Sequence, residues 1–172
     1  MAKDYKKIIK DKRLEAGKLM TDSQVAACNG IIHTASIASG AAGAIPIPVA
    51  DAIPISGAQV AMIISLGKVF DQKIEESVAK SLIAAAATTF AGRNLVKLIP
   101  IVGWGISAAV AAGVTEAIGW IAAVDMAKTF RKEWEKQRNA QEAAEAFAQA
   151  EYFKKQNHYE DGDDEAEDFG KE

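Results

Sequence analysis

The side chains with the most reactive chemistry are Cys28, His33, Asp51, Glu116 and His158. A thiol beside an imidazole can serve as an activated nucleophile. Cys28 and His33 lie five residues apart in an apolar helical run, however, and helix positions share a face when they are three or four apart. His33 stands alone there, which fits a core histidine better than a ligand. His158 precedes Asp161 in an acidic stretch, which is too small a set for a three- or four-ligand metal site. The single cysteine excludes a disulfide framework or a Cys-based metal centre within one chain. Asp51 comes just before a helical run, where a short carboxylate accepts backbone N–H groups as a helix cap. Gly40-Ala41-Ala42-Gly43 is glycine-rich but lacks the lysine of a phosphate loop, and no His-Glu-x-x-His occurs. The expectation is a protein without catalytic residues, metal or cofactor.

The elements that would position these groups are dominated by two nearly uncharged stretches. From Val25 to Gly67 the only charge is Asp51; from Ser81 to Val124 the only charges are Arg93, Lys97 and Glu116. Each stretch is interrupted by Ile-Pro-Ile. Proline removes a backbone donor and pushes the residue before it out of the helical region, so 44–54 and the neighbourhood of Pro100 read as extended elbows. Apolar, alanine-rich helical sequence lies on both sides of each elbow. Strand-like alternation is absent and alanine is a poor strand former, so the fold class is all-α.

Element by element, residues 4–19 form a basic amphipathic helix with Tyr5, Ile8, Ile9, Leu14 and Leu19 inward. Thr21 and Gln24 form a capping box that starts a second helix, which ends in the glycines after Ser39. A third helix covers about 55–70. A charged connector follows from Asp71, and Glu75-Glu76 suits the first turn of a helix over about 75–97. From Ile106 to about Phe153 no proline intervenes, so one long helix is predicted, apolar first and charged later. Arg131, Glu135 and Arg138 can pair along it, and Phe130, Trp134, Ala144 and Phe147 leave an apolar stripe that needs a partner helix. The resulting organisation is a basic helix (1–20), a hydrophobic helical-hairpin domain (21–130), a charged helical extension (131–155) and an acidic disordered tail (156–172).

Charge is distributed unevenly. Residues 1–18 hold seven basic and three acidic groups, whereas 156–172 hold eight acidic and one basic. The basic start suits anionic lipid or an acidic partner, and the acidic end argues against nucleic acid. No secretory signal is read at the start of the chain.

The apolar hairpins can enter a membrane or bury one another. Residues 98–123 reach the roughly 20-residue length of a span, while Val25–Ala42 and Ile55–Phe70 fall just short. Gly105, Ala109, Gly113 and Ala117 recur every four residues, a small-residue stripe that lets helices approach closely. Trp104 and Trp120 flank the same segment, where tryptophan would suit a membrane interface. Ile45, Pro46, Ile47, Pro48, Ile53 and Pro54 at the first elbow are the expected tips for insertion or assembly. Ile99, Pro100, Ile101 and Trp104 form the second tip.

The run Ala44-Ile45-Pro46-Ile47-Pro48-Val49-Ala50-Asp51-Ala52, followed by Gln59-Val60-Ala61-Met62-Ile63, resembles the bacterial YcjF-related domain of unknown function. So does Lys97-Leu98-Ile99-Pro100 with Gly103 and Ala108-Ala109-Val110-Ala111-Ala112. The resemblance spans roughly residues 25–130. It implies an all-helical, membrane-linked module with two hydrophobic hairpins, coupled to a small GTPase acting in trans, since no GTPase domain is present here. The second elbow departs from the pattern: the family often has Pro-Gly-x-Gly where this chain has Pro100-Ile101-Val102-Gly103. No catalytic residues are implied.

The sequence therefore predicts a non-enzymatic, membrane-associated helical module. It would be homo-oligomeric, would bind anionic lipid and would sit peripherally or inserted at the cytoplasmic face of the inner membrane. A water-soluble self-assembling structural protein is the alternative, and a pore-forming or toxin-like protein is the third reading.

Overall fold

A computed structural model describes residues 2–42, 52–91 and 108–160. Five helices account for nearly all of them: α1 (Ala2–Leu19), α2 (Asp22–Ala42), α3 (Ala52–Val69), α4 (Glu76–Ala91) and α5 (Ala108–Glu160). The fold is all-α, with the long C-terminal helix that the proline-free sequence requires.

Local chemistry explains the helix ends. At the start of α2 the Thr21 N–H donates to Gln24 Oε1 at 3.0 Å, and the Gln24 N–H donates to Thr21 Oγ1 at 3.2 Å. This reciprocal pair satisfies two donors that the first turn would otherwise leave orphaned. At the end of α3 the Gln72 N–H donates to the Gly67 carbonyl at 2.9 Å and the Asp71 N–H to the Lys68 carbonyl at 3.4 Å. Asp71 adopts φ 53° to make this reversal possible. That is the left-handed cap usually taken by glycine or asparagine. Gly67 is required by the same turn, because a Cβ there would meet the Ile74 side chain and, at 2.8 Å, the Gln72 carbonyl oxygen.

α3 starts earlier than the proline pattern suggests. Ile53 and Pro54 lie inside its first turn rather than in an extended elbow. A proline there costs no hydrogen bond, because the first-turn N–H groups have no intrahelical acceptor. Asp51, Ile45, Pro46, Ile47, Pro48, Ile99, Pro100, Ile101, Trp104 and Gly105 lie outside the described residues.

The chain divides into two units, Met1–Phe130 and Arg131–Glu172. In the first, α2 packs on α3, α3 on α4, and α1 on α2. The 111–127 part of α5 is buried almost all round, with Ala117, Ala123 and Val124 fully inaccessible and Trp120, Ile118 and Ile121 nearly so. A helix that is apolar on every side must be surrounded, by protein or by lipid. Here α1, α2 and α3 supply contacts: Tyr5 lies over Gly113, while Ile32 and Met62 converge on Gly119. Phe70, in the turn after α3, meets Phe130 with ring centroids 6.3 Å apart. Small residues of α5 thus act as sockets for large side chains from other helices, which brings the helix axes close and excludes water. Gly113 and Ala117 of the small-residue stripe are buried in this way, whereas Ala109 is exposed. In the second unit every residue of 131–156 is exposed.

Candidate functional site

Two polar contacts fix how α3 and its C-terminal turn meet α5. Gln59 Nε2 donates to Thr115 Oγ1 at 3.1 Å, both residues being buried, and Gln72 Nε2 donates to the Met126 carbonyl at 3.2 Å. Buried polar groups must be paired, so these bonds set the register of the helices more than they add net stability. Ser39 Oγ and Trp120 Nε1 are buried with no partner among the described residues.

The residues with potential chemistry stay apart. Cys28 is fully buried, and burial pushes its thiol up to about 11, away from the reactive thiolate. His33, expected in the core, is exposed on α2. The run around it is apolar, but the helix turns His33 to the exposed side. Glu116 is half-buried on α5. Among the described residues no three His, Cys, Asp or Glu side chains come together as a metal set. An open apolar groove of about 570 Å³ lies between α3 and α4, lined by Gly57, Val60, Ala61, Ile64 and Ile83. Glu76 and Lys80 line it too, tied to each other at 2.6 Å.

Within the first unit, basic charge gathers on the outer face of α1. Tyr5, Ile8, Ala16 and Met20 are buried against the bundle, with Ile9 and Leu19 packed partly against it. Glu15 anchors the helix from the side, receiving Lys128 of α5 at 2.6 Å and Lys12 at 2.8 Å. These two ammonium groups, Lys12 first, hold the Glu15 carboxyl below its ordinary value. Glu15 in turn raises Lys128. Arg13 lays its guanidinium 5.4 Å from the centre of the buried Trp120 ring.

With one side of α1 committed inward, Lys6, Lys7, Lys10, Arg13 and Lys18 are exposed, with the acidic Asp11 among them. Leu14, assigned by sequence to the core side, is 61% exposed and shares the face of Lys7, Lys10 and Lys18. Ala16 takes the inward place that Leu14 was expected to fill. An inspection for large apolar residues passes over alanine, yet its fully buried Cβ marks the close approach. The sequence signal for the true outer face is the spacing of Lys7, Lys10, Leu14 and Lys18 at steps of three and four.

α5 is the described helix long and apolar enough, by length and composition, to cross a membrane, but 72% of its most apolar window is buried within the protein. Trp120, which could have marked a membrane interface, belongs to that core.

No family model, curated protein or solved structure matches the chain. The YcjF-related resemblance, and with it the GTPase partner, rests on the quoted motifs alone.

Proposed function

We propose that the protein is a non-enzymatic helical module that docks on anionic membrane surfaces through the outer face of α1. The observation that carries this reading is the exposed Leu14 set among Lys6, Lys7, Lys10 and Lys18 on a helix whose other side is already buried. Lysines near an anionic surface contribute on the order of 1 kcal/mol each. An exposed leucine adds apolar area that can enter the headgroup region, while long lysine stems keep their charges at the phosphates. Docking of this kind needs no unfolding of the bundle, which favours peripheral attachment over insertion of α5. Flotation with phosphatidylserine-containing and neutral vesicles tests it. Flotation with anionic vesicles alone, reversed by high salt and by carbonate, is the expected result. Carbonate-resistant flotation would favour inserted hairpins instead.

A second reading has its own support. The near-complete burial of 111–127 is what a water-soluble assembly of alanine-rich helices needs, and it makes a structural protein the alternative if no vesicle binds.

A further inference from the structure

The second unit holds an apolar stripe that nothing in the chain is described as covering. Trp134 is 52% exposed and Phe147 67% exposed, and they bound the two edges of a broad face, about 140° wide, whose middle holds Gln137, Ala140, Gln141 and Ala144. Charge along the same helix is split. Residues 131–138 contain Arg131, Lys132, Lys136 and Arg138 against Glu133 and Glu135, whereas 139–153 contain Glu142, Glu145 and Glu151 and no basic residue.

We propose that 131–150 pairs with the same segment of a second copy of this chain, antiparallel, with Trp134 of one copy level with Phe147 of the other, one on each edge of the seam. The occupant follows from the charges and the symmetry. A parallel pair would set Arg138 beside Arg138 and the acidic half beside itself. Turning one helix around a two-fold axis between Ala140 and Gln141 brings the basic half of each copy against the acidic half of the other. Arg138 then lies beside Glu145 of the other copy at the seam edge, and the pairing occurs twice. In the single chain Arg138 already reaches Glu142 at 3.5 Å and lies 5.0 Å from the Trp134 ring centre, so the guanidinium is held at the edge of the stripe. Small Ala140 and Ala144 at the centre allow close helix approach, and the aromatic residues at the two ends close the seam. The proposal is independent of membrane docking, which rests on α1.

Sedimentation equilibrium of the full chain, without lipid, tests it. The wild type is expected to dimerise with concentration. Arg138→Glu is expected to weaken the dimer at least about tenfold by placing like charges across the seam. The triple change Arg138→Glu, Glu142→Arg, Glu145→Arg restores opposite pairing and is expected to recover it. These side chains are exposed, and circular dichroism of each variant verifies that the helix is kept. A nitroxide on Gln149→Cys, selective because Cys28 is buried, then reads direction. Antiparallel pairing separates the two labelled positions by about 25 Å along the axis, whereas parallel pairing leaves about one helix spacing, roughly 10 Å. A monomeric wild type, a dimer indifferent to Arg138→Glu, a failure of the triple change to rescue, or the short label distance would each overturn the proposal.

Discussion

At the scale of single residues, stability in this molecule depends on polar groups whose partners can be named. Thr21→Ala removes the hydroxyl that caps α2 and is expected to cost about 1 kcal/mol, read as a lower urea midpoint with unchanged slope. Asp71 stands in the left-handed region, where glycine carries no Cβ penalty. Asp71→Gly is therefore expected to leave stability unchanged or raise it by up to about 1 kcal/mol. Ser39→Ala removes a buried hydroxyl without a described partner and is expected to be neutral or stabilising, by about 1 kcal/mol at most. A loss of more than that would show that Ser39 Oγ has a partner in the folded protein. The Thr21–Gln24 box is legible in sequence because both partners lie within one turn. The Asp71 cap is not, because aspartate occurs in many turns and nothing local says that the helix ends on it. Leu14 was misplaced for a related reason: a large apolar residue favours the core only where a neighbour is available to cover it.

At the scale of elements, the helices follow from the sequence closely. Expected limits of 4–19 for the first helix and 106–153 for the last compare with Ala2–Leu19 and Ala108–Glu160. The miss at α3 has a physical cause, since first-turn proline and elbow proline look alike in sequence. Which helix meets which was beyond reach. Gly113 looked like one member of a stripe, and its actual role is to receive the Tyr5 ring. Gly113→Leu is expected to displace α1 from α5 and to lower stability by at least about 1–3 kcal/mol through overpacking. Tyr5→Ala in the Gly113→Leu background should then cost less than it does alone, a coupling that a double-mutant cycle measures. Additive effects would mean that the ring and the glycine do not touch in solution.

The Glu15 cluster links α1 to α5 and gives their contact a pH dependence. The folded-state pKa of Glu15 is lowered, so its contribution is complete above the ordinary carboxylate value of 4.5 and is lost as pH falls through the folded value. Cys28 acts at the other end. Its folded value is raised from 9.0 to about 11, so stability falls as pH rises through that interval. Thermal melts of the wild type and Glu15→Gln should differ near neutrality and converge in acid. A constant difference across that range would remove Glu15 from the account. Alkylation of Cys28 at pH 8 should be slow until the protein unfolds.

At the scale of the whole molecule, the sequence left open whether two apolar stretches face lipid or each other. For the described residues, much of that surface is inside: α5 is surrounded by Tyr5, Ile32, Met62 and Phe70 rather than presented outward. Composition cannot separate these outcomes, because the alanine- and glycine-rich helix that packs closely in water also packs closely in a bilayer. In the proposed docking the point of membrane contact is the lysines and leucine of α1. In the two proposals the first unit supplies the membrane face and the second the stripe for a second copy.

The most direct test compares vesicle flotation of the wild-type chain with Lys6→Glu/Lys7→Glu/Lys10→Glu, at equal thermal stability and on anionic membranes. Docking through α1 requires salt-sensitive flotation of the wild type and a loss of affinity on the order of a hundredfold or more in the variant, since three lysines contribute about 1 kcal/mol each. Equal flotation of the two proteins, or no flotation of either, would contradict it.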